Sequence, residues 1–380
     1  MVNSNANALG VIFPNSYDTL VPELVGERLM ASIPFASRYR MVDFILSSMV
    51  NCGIDNISLI VRKNYHSLMD HLGSGREWDL TRKNGGLNIV PPFAEKTVKV
   101  YNGRVEALAS ILDFLRSQKE KYVVMADTNI AVNFDFKALI EAHMASGADV
   151  TVAYAEEEIP QADMEAHALN KAMYYTLDLE DGHVKKIRIN AKDAGIQNFS
   201  MNIYIMDREL LIDQISTAYV RGYVYFERDI LAPNLDKLNV QAYRYDGYMA
   251  RISDMKSYFD ENMKLLDGSN LDALFEGNPI YTKIRDDNPT RYIDGAKVKN
   301  TMAADGCVIE GEVENCVLFR GVKIGKGAKV KNCVLMQDTV VEAGAKLEYI
   351  ITDKNVTISA DKDIKGTDTF PVYVAKYQTV

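Results

Sequence analysis

A chain of 380 residues with 47% hydrophobic and 25% charged residues has the composition of a soluble globular protein of two or three domains. A formal net charge of −9 and a pI near 5.2 lack the basic excess that neutralises a phosphate backbone, which excludes nucleic acid as the main partner. No run approaches the roughly 18 apolar residues of a membrane span, and the opening "MVNSNANALGV" lacks the charged and apolar regions of a secretory leader.

In chain order, Leu9 to Phe13 reads as a buried strand. In a nucleotide-binding enzyme glycines would follow, letting backbone N–H groups close on phosphates. Here Pro14, Asn15, Ser16 and Tyr17 follow instead. Further Val- and Ile-rich strands are expected at "NISLIV" (56–61), "KYVVMA" (121–126), "DVTVAY" (149–154) and "MNIYIM" (201–206). Between them, residues 104–119 place Val105, Leu108, Ile111, Leu112 and Leu115 on one helical face. Such alternation predicts an α/β fold with a mostly parallel sheet covered by helices on both sides. Ligands in such folds sit beyond the carboxyl ends of the strands, which singles out Asp127, directly after "KYVVMA". The acidic run Glu156–Glu158 reads as a solvated face.

Residues 267–290 are polar and turn-rich and read as a linker between a body (1–266) and a tail (291–380). In the tail Val322, Ala328, Val334 and Val340 recur every six residues, as do Ile324, Val330 and Met336. A six-residue period fits neither a helix nor an alternating strand; it predicts a hexapeptide β-helix. The C-terminal "KGTDTFPVYVAKYQTV" reads as a strand-like cap. The tail holds no histidine, which argues against a β-helix acyltransferase. The four cysteines (Cys52, Cys307, Cys316, Cys333) lack C-x-x-C spacing and sit in apolar surroundings, so they are expected as reduced core thiols of a cytoplasmic protein. The five scattered histidines form no zinc motif.

Several stretches carry a resemblance: "IPFASRYRMVDFILSSMVNCGIDNI", "GSGREWDLTRKNGGLNIVPPF", "NGRVEALAS", "FERDILAPNL" and "YMARISDMKSYFDENMKLL". Together they resemble the ADP-glucose pyrophosphorylases, the glucose-1-phosphate adenylyltransferases of glycogen synthesis, from about residue 8 to about residue 350. The string Trp78, Asp79, Leu80, Asn84, Gly85, Gly86, Pro91, Pro92 is specific to that family. The resemblance implies a Rossmann-like nucleotidyltransferase domain followed by a left-handed parallel β-helix. It also implies chemistry that needs a triphosphate cradle, carboxylates holding Mg²⁺, and lysines to balance developing charge.

Position by position, the chemistry implied by the resemblance is missing. The family's glycine loop is Phe13-Pro14-Asn15-Ser16-Tyr17, and Pro14 has no N–H to offer. The lysine of the family's Lys-Pro-Ala-Val-Pro-Phe falls on Met30. In the Gly-Thr-Ala-Asp-Ala turn, Gly103 and Ala107 survive, but the threonine is Arg104 and the acidic position is Glu106. The sugar-phosphate motif falls on Arg188, Ile189, Asn190 and Ala191, without its lysine. One metal carboxylate remains as Asp127, and the second is Arg251.

The resemblance therefore points to the non-catalytic, regulatory type of subunit. Its expected partner is a catalytic ADP-glucose pyrophosphorylase subunit in a heterotetramer, and no Mg²⁺ or ATP cofactor is expected, with Asp127 a relic. An active adenylyltransferase with an atypical phosphate loop is the competing expectation. Arg28 and Arg40 correspond to basic residues lining the family's effector cleft, so a sugar-phosphate effector is expected there. The alternative is that both are surface or ion-paired residues, for instance Arg40 with Asp43.

Overall fold

The computed structural model describes residues 6–92, 101–161, 164, 173–193 and 195–380. The first residues of the N-terminal stretch and Phe93, which ends the second resemblance stretch, lie outside them. The body is built on nine strands: β1 Ala8–Phe13, β2 Asn56–Ile60, β3 Gly86–Val90, β4 Tyr122–Asp127, β5 Val150–Glu158, β6 Tyr175–Glu180, β7 His183–Ile189, β8 Ile196–Asp207 and β9 Val240–Arg244. They lie in the order β3-β2-β1-β4-β8-β5-β9-β7-β6. The half from β3 to β4 is parallel. Beyond it, β8 runs antiparallel to both β4 and β5, so the sheet is mixed. The parallel half ends its strands side by side: Phe13 pairs in register with Asp127.

Each face of the sheet carries a core. One packs Ile12, Leu46, Ile57, Trp78 and Phe136; the other packs Leu9, Leu108, Met125, Tyr204 and Phe226. Trp78, the lone tryptophan, is 1% exposed and donates its Nε1–H to Ser47 Oγ at 3.2 Å, which satisfies the polar end of a buried indole. Residues 104–119 do not form one helix. They form Arg104–Ala109 and Leu112–Ser117, separated where Ile111 N–H bonds back to Leu108 O in a tight turn. Val105, Leu108, Ile111 and Leu115 are buried as the spacing predicts, and Leu112 only partly so. The segment 267–290 is less irregular than its composition suggests. Asp267 caps a helix at Gly268–Phe275 by accepting from Ser269 N–H, and Leu274 is fully buried.

The tail is a parallel β-helix whose strands stack in register, for example Cys316 on Cys333 and Val317 on Val334. From Glu312 onward the coil is 17 residues long, since Glu312 pairs with Lys329, Lys329 with Lys346, and Lys346 with Asp363, whereas Lys297 pairs with Glu312 only 15 residues on. Two sides of six residues and one of five explain that length. The strict six-residue count therefore slips once per coil. Val322 and Ala328 point inward, but the next inward residues are Cys333 and Thr339, while Val334 packs against the body and Val340 is only half-buried. Thr339 Oγ1 donates to Met336 O at 2.8 Å, which satisfies a hydroxyl inside an apolar coil. Cys307, Cys316 and Cys333 are buried free thiols of this core, and Cys52 is a half-buried free thiol of the body.

Body and tail share one apolar cluster, in which Phe35, Phe44 and Tyr258 meet Val317, Val334 and Ile351. No helix of the described residues is long and apolar enough to cross a membrane. The 17-residue register makes a direct prediction. Val341→Ala, at a position 1% exposed, removes two buried methyl groups and costs about 2 kcal/mol. Val340→Ala costs distinctly less, measured by urea denaturation of both variants; equal losses would contradict the register.

Candidate functional site

Beyond the carboxyl ends of β1 and β4 lies a cavity of about 540 Å³. Its floor is the loop that replaces the expected phosphate cradle, and the loop's own side chains fill its hydrogen bonds. Asn15 Nδ2 donates to Asp18 at 2.6 Å, and Asn15 Oδ1 accepts from the Arg62 backbone N–H at 2.9 Å. Ser16 Oγ donates to Asp127 Oδ1 at 2.7 Å. The Tyr17 hydroxyl accepts from Asn202 Nδ2 at 2.6 Å. Backbone N–H groups that a phosphate would need are thus shielded by side chains rather than bared by glycines.

Arg104 occupies the centre of the wall. A Cβ on Gly103 would stand 2.3 Å from Val224 O, so only glycine lets the turn into this helix approach the 224–231 segment. That approach sets Arg104, the first residue of its helix, opposite the π-helical turn Phe226–Leu231. Asp229 anchors that turn by accepting from Val224 N–H and Tyr225 N–H, both at 2.9 Å. Arg104 Nη2 then donates to Asp127 Oδ2 at 2.7 Å, and Nη1 to Glu227 Oε1. The guanidinium carbon stands 4.8 Å from the centre of the Phe13 ring and 5.3 Å from that of Tyr204. Side-chain exposure is 9% for Arg104, 0% for Asp127 and 5% for Glu227. Burial alone would lower the Arg104 pKa, but Asp127 and Glu227 more than offset it and hold the group charged far above its ordinary range. Burial pushes the Asp127 carboxyl up, against the pull of Arg104 and the Ser16 hydroxyl.

The second expected metal position holds a second clamp. Arg251 Nη2 bonds to Glu157 Oε1 at 2.5 Å, and the guanidinium lies 3.9 Å from the centre of the Phe199 ring. This corrects the reading of Glu156–Glu158 as a purely solvated face. Glu157 is the half-buried counter-ion of Arg251, Glu156 pairs with Arg244, and Glu158 is exposed. These residues do not fit a divalent cation. Asp127 and Glu227 are spent on a guanidinium, and a positive side chain stands at the other position.

The other substituted positions are equally committed. Met30 is 1% exposed in the body–tail core. Arg188 pairs with Asp178 and Asp193, and Asn190 Oδ1 accepts from Tyr174 N–H at 2.9 Å. Glu106 lies outside the Arg104 triad and accepts from Asn102 N–H at 2.6 Å. Of the two partner acids, Glu227 was not singled out in the sequence, and Glu157 was read only as part of a solvated face.

Arg28 and Arg40 come together at the body–tail junction, in different states. Arg28 Nη2 pairs with Asp353 Oδ1 of the β-helix at 2.6 Å, each side chain 4% exposed. The Tyr373 hydroxyl stands 2.9 Å from Asp353 Oδ2 and 3.0 Å from Glu23 O, and Lys376 bonds Glu27. The C-terminal cap thus grips the segment that leads out of the cleft. Arg40 is half-buried. Its guanidinium donates to Ser67 O and Oγ at 2.7 and 2.9 Å, while its backbone N–H, not its guanidinium, bonds Asp43. Asp43 instead pairs with buried His71 at 2.6 Å.

Cations gather around these two. Burial, then Arg40 and Arg28, push the Lys354 ammonium down to about 7. Burial, opposed by Asp43 and reinforced by Arg28, takes Arg40 down to about 10. Arg320, 7% exposed, is lowered by burial, Arg38 and Arg285, and its Nε finds no hydrogen-bond partner among the described residues.

A nucleotidyltransferase-type body carrying a β-helix is the class defined by this fold and cleft. Residues 27–164 match the nucleotidyl transferase family, and residues 285–370 match the family described as GlmU-like, C-terminal hexapeptide. The chain is 36% identical over 374 residues to the glycogen biosynthesis protein GlgD of Bacillus subtilis (strain 168), covering 98% of this chain and 96% of that one. It is 36% identical to GlgD of Geobacillus stearothermophilus, over 86% of this chain and 83% of the relative. It is 31% identical to the glucose-1-phosphate adenylyltransferase of the same organism, over 79% and 76%. The chain belongs to the glucose-1-phosphate adenylyltransferase (ADP-glucose pyrophosphorylase) family and resembles its GlgD-type members.

The Arg28–Asp353 pair yields a stability prediction. Arg28→Ala strands a buried carboxylate and costs about 3–5 kcal/mol in equilibrium denaturation. Adding Asp353→Asn recovers part of the loss, because no uncompensated charge then remains.

Proposed function

We propose that this chain is a catalytically degenerate, regulatory subunit of a glucose-1-phosphate adenylyltransferase in glycogen biosynthesis, acting in a cytoplasmic heterotetramer with a catalytic subunit. The observation that carries the reading is the pair of arginine clamps, Arg104 on Asp127 and Glu227 and Arg251 on Glu157. Removing one preorganised charge stabiliser typically costs about 2.7–4 kcal/mol of barrier. Here the phosphate cradle and the lysines are replaced, one expected metal position is Arg251, and the remaining carboxylate, Asp127, is bonded to Arg104.

Regulation then falls to the junction. Arg28 is the structural member of the effector site, held by Asp353. Arg40 and Lys354 are the cations that a phosphorylated sugar would meet, with Arg320 behind them. Anion binding there favours the protonated form of Lys354 and draws a proton onto it.

The test is a coupled pyrophosphate-release assay on the chain alone, on the catalytic subunit of the same organism, and on the mixture. The expected result is negligible turnover alone and a changed rate or effector response in the mixture. Robust turnover by the isolated chain would overturn the reading. For the junction, Arg40→Ala or Lys354→Met raises the effector concentration for half-maximal response about tenfold or more. The sign of the pH dependence follows from Lys354: charged below about pH 7 and neutral above. Effector affinity therefore falls as pH rises from about 6.5 to about 8, and Lys354→Met flattens that profile in a binding titration.

A further inference from the structure

The sequence holds two Asn-Gly pairs, Asn84–Gly85 and Asn102–Gly103. With no side chain on the glycine, its amide nitrogen is open to attack the asparagine Cγ, provided the backbone can turn to bring the two together. Both asparagines are exposed, and neither glycine N–H has a hydrogen-bond acceptor among the described residues. What separates the pairs is how firmly the chain is held around them. Before Asn102, Tyr101 is buried and donates its hydroxyl to Val61 O at 3.0 Å. Asn102 N–H itself donates to Glu106 Oε2 at 2.6 Å. After it, Gly103 is wedged against Val224 O, and its carbonyl accepts from Ala107 N–H at 3.1 Å. Asn84 stands instead in a run, 81–85, that is exposed throughout. Gly85 has a φ of 76°, a left-handed conformation that glycine adopts without strain. Residues 83–85 make no hydrogen bond among the described residues, and firm contacts resume only on either side. Arg82 pairs with Asp55 at 2.6 Å, and Gly86 N–H donates to Asp55 O at 2.7 Å.

We propose that Asn84 is a site of spontaneous covalent modification, converting through a cyclic imide to isoaspartate and aspartate, and that the fold spares Asn102. The Gly85 amide nitrogen gives up its proton to solvent and bonds to Asn84 Cγ. The Cγ–Nδ2 bond breaks, ammonia leaves, and the imide ring closes. One water then opens the ring. Addition at the main-chain carbonyl carbon of residue 84, with cleavage of its bond to nitrogen, gives isoaspartate; addition at Cγ gives aspartate. The net change consumes one water and releases one ammonia, with no oxidant or reductant. It adds a negative charge to a chain of net charge −9, and isoaspartate also lengthens the main chain by one methylene. The anchors at Arg82 and Gly86 confine that change to the loop, so β3 stays paired with β2. At residue 102 the same insertion would have to pull Gly103 away from Val224 and disturb the Arg104 clamp. The inference concerns the chain alone and is independent of the cleft and of any catalytic partner.

The test ages the full chain in mildly alkaline buffer, folded and in parallel unfolded in urea. Isoelectric focusing follows the acidic form, and peptide mass mapping assigns the converted residue. In the folded chain Asn84 is expected to convert at least about tenfold faster than Asn102. In urea, where neither pair is held, the two rates are expected to come within about threefold of each other. Asn84→Gln, whose longer side chain closes the ring far more slowly, is expected to remove most of the acidic form from the folded sample. Asn102→Gln is expected to leave that form unchanged. The inference is overturned if Asn84 stays intact in the folded chain while converting in urea, or if Asn102 converts as fast as Asn84 in the folded chain. It is equally overturned if the tenfold preference persists in urea, which would make it a property of the sequence rather than of the fold, or if Asn84→Gln leaves the acidic form undiminished.

Discussion

A carboxylate buried at the end of a central strand must have a cation, and most of the architecture around the cleft follows from how this chain supplies one. Asp127 has no exposure. An unpaired charge there would cost several kcal/mol even after relaxation. The cation is Arg104, and its placement demands the glycine at 103, the π-helical turn that presents Glu227, and the Asp229 anchor that shapes the turn. The clamp also holds the loop after β1, because Ser16 bonds the other oxygen of Asp127. One ion triad therefore joins four segments that are far apart in the chain.

The same rule recurs at two other points. Arg251 is tolerated because Glu157 lies across from it and Phe199 offers its ring face. Arg28 is tolerated at 3% exposure because the β-helix reaches back with Asp353. In the second case the compensation is made between body and tail, so charge balance and domain docking are one interaction. The cap strand Val372–Val374, which had no evident purpose in the sequence, supplies Tyr373 to the remaining oxygen of Asp353.

The fold was largely legible because it rests on local, periodic signals. Apolar runs marked the central strands, and a six-residue recurrence marked the coils. The misreadings are instructive. Val334 and Val340 continue the count of six, but the 17-residue coil turns Cys333 and Thr339 inward instead, and a hydroxyl at an inward position hides the slip. The 104–119 helix breaks at Ser110–Ile111 with neither glycine nor proline to announce it. In the cleft, the losses were visible as wrong residues at expected positions, but their replacements were not. Arg104 and Glu227 are 123 residues apart, and Arg251 and Glu157 are 94 apart. Neither pair has a spacing that encodes contact, and only the folded sheet brings them together.

That asymmetry explains how the cleft positions can be exchanged while the fold is kept. The nine strands of the body stay paired and their two cores stay packed around the substituted cleft positions. The exchanges that remain are electrostatic, and each closes locally: a cation gained at 251 meets an acid at 157, and a cation gained at 104 meets acids at 127 and 227. Breaking either clamp by a single substitution leaves a charge stranded in a medium of low dielectric, whereas the completed pair is self-contained. The acids that line the cleft are therefore neutralised by arginines of the chain itself. The segment from Ser16 to Arg28 ties the cleft to the junction where the β-helix docks, Ser16 bonding Asp127 at one end and Arg28 bonding Asp353 at the other.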